Sequence, residues 1–414
     1  MTIVLAVFVI ELVVALILRR LNLAHLERHG SVVPAELSGE VPTETLQRMS
    51  AYTRDRARVG LWGMLWSKGL LSVFLFTGLL GAYDRFVAAH FPSFIGGGVA
   101  FFLGLTWAST LLGIPLDLYA HFKLEARHGF NRMSGRLWLS DLLKSLAISS
   151  ILIAICAAAI LLVIELAPAL YWLFVWLFVC GFSLLLMFVS PIVIEPLFFR
   201  MQPLRVEGLE REVRELAERC GVRVARVLEV DASRRSSHSN AYFTGIGRVK
   251  RVVLFDTLLE RMSHAEILAV LAHELGHWKK HHIVQRLIVS QALLLVALYV
   301  GHRLLDWQGL PALVGLEQAS LPARALLVGF LASLCVFPLT PLGSYWSRRN
   351  EWQADAFATT LTRNPEALAS ALGKLARDNL SNLHPHPLYA AFYYSHPEPA
   401  ERVRALRRAA AALE

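Results

Sequence analysis

Residues 271–305 read LAHELGHWKKHHIVQRLIVSQALLLVALYVGHRLL, and this stretch joins two different kinds of helix. Its first part contains His273, Glu274 and His277 in the pattern HExxH. On a helix, this spacing places both histidine rings on one face, where they can bind one zinc ion. From Ile283 to about Leu305 the residues are mostly apolar, over the length of about 20 that a bilayer requires. The sequence therefore predicts a zinc-binding helix that leads directly into a membrane-spanning helix.

The residues before the HExxH pattern give its helix a defined start. Ser263 is followed three residues later by Glu266, which is the pattern of a capping box, and apolar residues then recur with helical spacing. On this helix Glu274 lies beside the metal site, where it can take a proton from a zinc-activated water and pass it to a leaving amine. An ordinary surface helix with incidental histidines is the alternative interpretation.

A catalytic zinc site needs a third protein ligand and a position open to water. Residues 347–358 read SRRNEWQADAFA and place Glu351 and Asp355 one turn apart on one helix face. We predict that Glu351 is the third ligand of one zinc ion per chain. Asp355 is expected to hold a ligand histidine by its second ring nitrogen. An exposed acidic helix face is the simpler alternative for this segment.

Water attack on a peptide carbonyl creates an oxyanion that a nearby donor must stabilise. Residues 393–406 read YYSHPEPAERVRAL and contain His396 and Arg402 as candidates for this task. His396 is preferred, because an imidazole can donate to the oxygen in either protonation state. The alternatives are a turn at a helix start and a solvated arginine.

An extended substrate is commonly held by adding a strand to a sheet edge. Residues 235–245 read RSSHSNAYFTG and have the polar, extended character of such an edge. Asn240, Ala241 and Tyr242 would be the residues in contact with the substrate. A purely structural hairpin strand is the other interpretation.

The composition of the chain indicates a membrane protein. Of its 414 residues 55% are hydrophobic and 18% charged, with a mean hydropathy of +0.49, whereas soluble domains have about 25% charged residues. A disordered chain is excluded. Seven segments are apolar enough to span a bilayer: Ile3 to Leu18, about Leu65 to Tyr83, Ile95 to about Tyr119, Leu146 to Leu166, Leu170 to about Ile194, Ile283 to about Leu305, and Ala325 to Trp346.

The net charge of +9 is explained by the side of the membrane on which basic residues lie. Arg19 and Arg20 directly follow the first apolar segment, and Lys and Arg accumulate in cytoplasmic loops. With these arginines inside, the other basic segments also fall inside. We predict an amino terminus outside and a carboxyl terminus in the cytoplasm. The charge therefore does not indicate a nucleic-acid partner.

Two polar segments are too long to be simple loops, and they suggest a division of the chain. The predicted parts are 1–200 for transmembrane helices one to five with cytoplasmic loops, 201–282 for a cytoplasmic sheet and the HExxH helix, 283–346 for transmembrane helices six and seven, and 347–414 for a helical part that supplies the third zinc ligand. Strands are predicted at Val222–Val230, Ser239–Thr244 and Val249–Phe255. The four cysteines form no CxxC pair and are interpreted as packing residues.

Taken together, these segments resemble the type 1 CAAX prenyl protease family of integral membrane zinc metallopeptidases. The matching stretches are FKLEARHGFNRMS from Phe122, DASRRSSHSNAYFTG from Asp231, KRVVLFDTLL from Lys250, LAHELGHW from Leu271, RRNEWQADAFA from Arg348 and HPLYAAFYYSHPEPAER from His386. HExxH alone would not be specific. The combination is, and the resemblance covers nearly the whole chain.

The resemblance implies a mainly α-helical, multi-pass membrane protein. Seven helices would form a shell around a water-filled chamber, with a small cytoplasmic α+β zinc-metallopeptidase domain. The implied roles are zinc binding for His273, His277 and Glu351, catalysis for Glu274, and supporting roles for Asn240, Asp355, His396 and Arg402. The implied reaction is hydrolysis of a peptide or protein substrate near a prenylated carboxyl terminus, by a monomer in the lipid bilayer, without nucleic acid.

Two alternatives to this function stay open at the level of sequence. A membrane quality-control metalloprotease would use the same residues on substrates without a prenyl group. A non-catalytic seven-helix membrane protein with a structural metal would need four protein ligands. The expected location is the cell inner membrane of a bacterium or the endoplasmic reticulum of a eukaryote. His281 and His282 are expected at the membrane interface, with an accessory metal as the alternative.

Overall fold

The computed structural model describes residues 1–244 and 249–412 and shows a mainly helical protein with one small sheet. Its amino-terminal half contains the helices α1 (Thr2–His29), α2 (Thr43–Phe76), α3 (Leu79–His90), α4 (Phe94–Tyr119), α5 (Gly135–Leu166), α6 (Tyr171–Val189) and α7 (Glu195–Phe198). Wider helical turns at Ala120–Glu125 and Ser190–Ile194 extend α4 and α6.

The carboxyl-terminal half combines a soluble α+β part with further long helices. Its elements are β1 (Met201–Pro203), α8 (Leu209–Glu218), β2 (Arg223–Val230), β3 (Ala241–Thr244), β4 (Val249–Phe255), α9 (Asp256–Leu259), α10 (His264–Lys279), α11 (His282–Asp306), α12 (Leu321–Val336), α13 (Thr340–Thr362), α14 (Pro365–Asp378), α15 (Pro387–Tyr393) and α16 (Pro399–Ala411).

Seven helical stretches among the described residues are long and apolar enough to cross a membrane, which confirms the predicted number. They are Thr2–His29, Thr43–Phe76, Phe94–Glu125, Gly135–Leu166, Tyr171–Phe198, His282–Asp306 and Leu321–Thr362. Large apolar side chains stay exposed along them, for example Ile3 at 80% and Leu293 at 66%. A lipid environment accounts for this exposure, because water would make it unfavourable.

The predicted end of the second span is wrong, and a turn inside the seventh span was not predicted, for the same reason. The second span was expected to run to Tyr83, but α2 ends at Phe76 and Gly78 turns the chain with φ +83° before α3. The seventh, predicted from Ala325 to Trp346, lies within the stretch Leu321–Thr362, in which a short turn at Phe337–Leu339 separates α12 from α13. The predicted division after residue 346 therefore lies inside α13. Apolar residues flank both turns, so hydropathy does not reveal them.

The sheet has the strand order β1-β2-β4-β3. Strands β2 and β4 are parallel, and the two outer strands pair antiparallel to them. The three predicted strands are present, while β1 was missed because three residues are too few for a recognisable pattern. Strand β3 lies at one edge of the sheet, and among the described residues no further strand pairs with its other side.

One large hydrophobic core stabilises the soluble part, and another stabilises the membrane part. The first lies between the sheet and helices α8, α10, α14 and α16, and includes Leu209, Leu254 and Leu271. The second lies among the membrane helices around Phe8, Phe101 and Leu327. Next to this second core, Lys68 Nζ of α2 donates to Glu11 Oε1 of α1 at 2.7 Å. An ion pair inside the membrane part thus satisfies two side chains that would be costly in lipid.

Candidate active site

Helix α10 carries the HExxH pattern, and its first turn is fixed by the predicted capping box. Ser263 N–H donates to Glu266 Oε2 at 2.8 Å, and Glu266 N–H donates back to Ser263 Oγ at 3.4 Å. The same carboxylate accepts from Ser370 Oγ at 2.6 Å and from Lys374 Nζ at 2.8 Å, both on α14. Glu266 therefore caps the zinc-binding helix and also anchors it to its neighbour.

Helix α10 crosses α13 at close range because Gly276 has no side chain. A Cβ atom on Gly276 would lie 3.0 Å from Ala354 Cα and 3.1 Å from the Ala354 carbonyl oxygen. Carbon atoms normally approach to about 3.5–4.0 Å, so a larger residue does not fit at this crossing. The close crossing sets the two histidines of α10 opposite Glu351 of α13.

Three side chains converge at this crossing, as the sequence analysis predicted. His273 Nε2 lies 3.1 Å from His277 Nε2 and 3.3 Å from Glu351 Oε2, and His277 Nε2 lies 3.2 Å from Glu351 Oε1. His273 and Glu351 are buried, and His277 is partly exposed. Among the described residues this is the one group of three ligand-type side chains that could hold a metal ion.

The arrangement fits a zinc ion. Zinc ligands at about 2.0–2.1 Å around a tetrahedral centre lie about 3.3 Å from one another, which is close to the distances found here. Glu351 Oε2 is buried and accepts no hydrogen bond from the described residues, although His396 Nδ1 lies 2.8 Å away. A buried carboxylate oxygen that faces ring nitrogens without accepting from them is typical of a metal ligand.

His273 is held by a buried ion pair. Its Nδ1 lies 2.8 Å from Asp355 Oδ1, and the same carboxylate accepts from Arg402 Nε at 2.8 Å and Nη2 at 2.7 Å. Arg402 Nη1 lies 3.5 Å from Glu351 Oε2, so all three guanidinium nitrogens are directed at acidic groups. Asp355 thus lies where the sequence analysis put it. Arg402 contacts these carboxylates and also forms part of the wall of the adjoining cavity.

His277 has a partner that the sequence analysis did not assign. Its Nδ1 lies 3.0 Å from Nδ1 of His282, whose Nε2 lies 3.0 Å from Gln353 Oε1. His282 begins α11, a membrane-spanning helix, and is 2% exposed, while His281 beside it is exposed. The available signal was a run of histidines directly after the HExxH helix.

Glu274 lies beside the metal ligands and faces a cavity of about 690 Å³. The cavity walls also include His273, Glu351 and His396. Burial raises the pKa of the Glu274 carboxyl above its usual value, and the neighbouring imidazoles of His273 and His277 act in the opposite direction. A carboxylate in this position can exchange a proton with a molecule in the cavity.

The three predicted substrate contacts divide between two sides of the edge strand. Asn240 and Ala241 line the cavity, and Asn240 Oδ1 accepts from Ala241 N–H at 2.9 Å. Tyr242 instead donates its hydroxyl to Glu195 Oε2 at 2.9 Å. The edge therefore faces the metal ligands through Asn240 and Ala241, and the side chain of Tyr242 is engaged elsewhere.

His396 lies at the mouth of the site, on the segment before α16. Its side chain is 64% exposed, and its Nδ1 is 2.8 Å from Glu351 Oε2. Next to this cavity is a second one of about 940 Å³, and the two share wall residues including Arg56, Asn379 and Tyr394. The metal ligands thus open on a chamber large enough for a peptide.

Comparison with known proteins gives a consistent family. Residues 22–200 match the family of the N-terminal region of CAAX prenyl proteases, which has five membrane helices. Residues 203–410 match peptidase family M48. The CAAX prenyl protease 1 of Saccharomyces cerevisiae is 34% identical over 410 residues, covering 90% of this chain and 88% of that protein. A CAAX prenyl protease 1 homolog of Oryza sativa is 36% identical over 325 residues, covering 75% and 73%. The crystal structure of S. mikatae Ste24p matches with a TM-score of 0.92 and 30% identity, over 98% of both chains.

Proposed function

The chain belongs to peptidase family M48 and carries the membrane helices of CAAX prenyl proteases, and we propose that its metal is zinc, bound by His273, His277 and Glu351. The protein is thus a membrane-embedded metalloprotease homologous to CAAX prenyl protease 1. The observation that carries the zinc assignment is the convergence of two imidazoles and one carboxylate, with no fourth ligand among the described residues. Three ligands and an open position are typical of catalytic zinc and not of structural zinc.

We assign the chemical steps to the side chains around this site. Zinc, when bound, supplies a Lewis acid that polarises a peptide carbonyl and makes water easier to deprotonate. Glu274 takes a proton from the attacking water and delivers it to the leaving nitrogen, for which its raised pKa suits it. His396 donates to the carbonyl oxygen as negative charge develops. Asp355 orients His273, and Arg402 positions Asp355. The place of Arg402 in the cavity wall beside Glu351 also allows it to assist His396 at the oxyanion.

Asn240 and Ala241 are proposed to hold the substrate backbone along the free side of β3. The free edge of the sheet and the position of both residues in the cavity wall support this role. The outward N–H of Ala241, now paired with its neighbour's side chain, would turn to a substrate carbonyl. The backbone groups of Tyr242 face β4 in this register and its hydroxyl is paired with Glu195, so we propose that Tyr242 supports this edge without a backbone hydrogen bond to the substrate.

The Glu274→Gln variant tests the reaction. It should retain about one zinc per chain and lose peptide cleavage by at least about 100-fold, the usual contribution of a general base. Glu260→Gln makes the same change on an exposed carboxylate of the same domain and should cleave as wild type does. Zinc content and the rate of cleavage are measured on both purified variants. Undiminished cleavage by Glu274→Gln would refute the assigned mechanism.

The substrate is proposed to be a peptide with a prenylated carboxyl terminus, as the names of the curated relatives indicate. The second cavity adjoins the site, and its wall combines charged residues such as Arg56 and Glu125 with the rings of Tyr52, Phe130 and Tyr389, which offer contacts to an isoprenoid chain. A farnesylated peptide should be cleaved at least about tenfold faster than its unmodified twin at low concentration, because apolar burial contributes about 0.8 kcal/mol per methylene. Equal rates would instead favour a quality-control protease that acts on unmodified proteins.

We propose that the amino terminus lies outside and the carboxyl terminus in the cytoplasm. Contacts between the loops support the grouping of segments into two sides, because segments predicted on one side meet, and the arginines after the first span assign the inner side. Ser320 N–H donates to Asp84 Oδ2 at 2.8 Å on the outer side, and His386 N–H donates to Asn22 Oδ1 at 3.0 Å on the inner side. Since one chain supplies every side chain of the site, we propose that it acts as a monomer.

A further inference from the structure

The two metal-binding imidazoles are held by partners of different charge. Asp355, an anion paired with Arg402, holds His273, whereas another imidazole, that of His282, holds His277. We propose that His282 is a positioning residue that keeps His277 in the tautomer able to bind the metal. This inference rests on the proposed function for the identity of the metal ligands.

The hydrogen bonds run in a row from His277 through His282 to Gln353, and only one placement of their protons is compatible with a bound metal. His277 must direct the lone pair of Nε2 toward the metal, so its proton is on Nδ1 and is donated to His282 Nδ1 at 3.0 Å. His282 then carries its own proton on Nε2, which the amide oxygen of Gln353 accepts at 3.0 Å. The opposite arrangement would place an N–H of His277 where the metal must bind.

The local backbone explains how His282 reaches His277. Helix α10 ends at Lys279, and His281 adopts a left-handed conformation with φ 58° before α11 begins at His282. This turn directs the His282 ring back onto the end of α10, where it is 2% exposed. Gln353 lies on α13, the helix that also carries Glu351. The metal ligand at one end of the row and the last acceptor at its other end therefore belong to one helix.

A neutral partner suits this position better than a carboxylate. Glu351 and Asp355 are both 3% exposed, and Arg402 is the one guanidinium that contacts them in the described residues. With Glu274, three carboxylates already face the charges of Arg402 and of a bound divalent metal. A fourth carboxylate would add an uncompensated charge in this buried region, which is costly. An imidazole orients His277 by a hydrogen bond and adds no charge.

Four variants test the role of His282 through zinc affinity, measured in detergent by competition with a chelating dye. His282→Phe fills the volume but accepts no hydrogen bond, and it should raise the zinc Kd about 10- to 100-fold, the usual effect of removing a partner that orients a ligand. His282→Asn offers an amide oxygen near the position of Nδ1 and should largely restore affinity. His281→Asn is the matched control, since asparagine tolerates the left-handed conformation, and it should leave the Kd unchanged. Gln353→Met removes the last acceptor and should weaken zinc binding less than His282→Phe does.

The outcomes separate an orienting hydrogen bond from simple packing. A wild-type Kd for His282→Phe overturns the proposal, and so does an equal loss for His282→Asn, because packing and not the acceptor would then be responsible. If His282→Phe does not fold, Gln353→Met takes its place, and a wild-type Kd for that variant is the refuting result. The cleavage test on Glu274→Gln is independent, since it compares activity at full zinc content.

Discussion

The close crossing of α10 and α13 at Gly276 leads to a quantitative prediction for Gly276→Ala. The added Cβ would lie 3.0 Å from Ala354 Cα, and an ordinary contact of about 3.5 Å requires the helices to separate by about 0.5 Å. The zinc ligands lie on both helices, and ligand distances in zinc sites hold to within about 0.2 Å. We therefore expect the zinc Kd to rise about 10- to 100-fold.

The fold of the apo-protein should be only modestly destabilised. Overpacking costs about 1–3 kcal/mol, but alanine gains about 1 kcal/mol over glycine in a helix, so the free energy of unfolding drops by at most about 2 kcal/mol. Gly343→Ala, on α13 with open space around it, is the matched control and should not weaken zinc binding. Chelator competition and thermal unfolding on both apo-proteins give the two quantities. If Gly276→Ala binds zinc as tightly as wild type, the crossing does not set the ligand geometry.

Two further changes concern α16 and the residue before it. Arg402→Lys cannot keep both hydrogen bonds to Asp355, so we expect the zinc Kd to rise about 10-fold or more. The control is Arg404→Lys, which changes the half-exposed ion pair with Glu36 and should alter the zinc Kd less than about twofold. Equal effects of the two variants in the competition assay would contradict this prediction. Burial, with Glu401 nearby, raises the pKa of Glu398 from 4.5 to about 7, so the folded state holds this proton more tightly than the unfolded chain. The contribution of this proton to stability is therefore complete below pH 4.5 and is lost as the pH rises through about 7. The melting temperature of Glu398→Gln should rise progressively above that of wild type between about pH 5 and 8. A difference in melting temperature that stays constant over this range would contradict the assignment.

The residues nearest the metal were predictable because their spacing follows from helix geometry. His273 and His277 are one turn apart on α10, and Glu351 and Asp355 are one turn apart on α13. A spacing of four positions along the sequence therefore predicts that the two members of each pair share a helix face. The capping box at Ser263 is a local interaction in the same sense. What sequence could not supply is the contact between the two helices, which depends on the missing side chain of Gly276.

The sequence interpretation failed where the chain changes direction. His282 is five residues after His277, a spacing that no single helix would bring together, and only the left-handed turn at His281 makes the contact. The break at Gly78 was missed because apolar residues continue on both sides of it. Side chains alternate along a strand, so Ala241 lines the cavity while the hydroxyl of Tyr242 reaches Glu195, a contact that the sequence did not indicate.

The ion pair between Glu11 and Lys68 bears on how the protein enters the bilayer during synthesis. Each charge alone would cost about 2.5–3.5 kcal/mol near the middle of an inserted helix. Joined at 2.7 Å, the two largely cancel, but only when α1 and α2 are in the lipid together. The first two helices are therefore favoured to leave the translocation machinery as one hairpin. Lys68→Met would keep α2 apolar but leave α1 with an unpaired Glu11, and the defect would appear as retarded insertion of the amino-terminal helix.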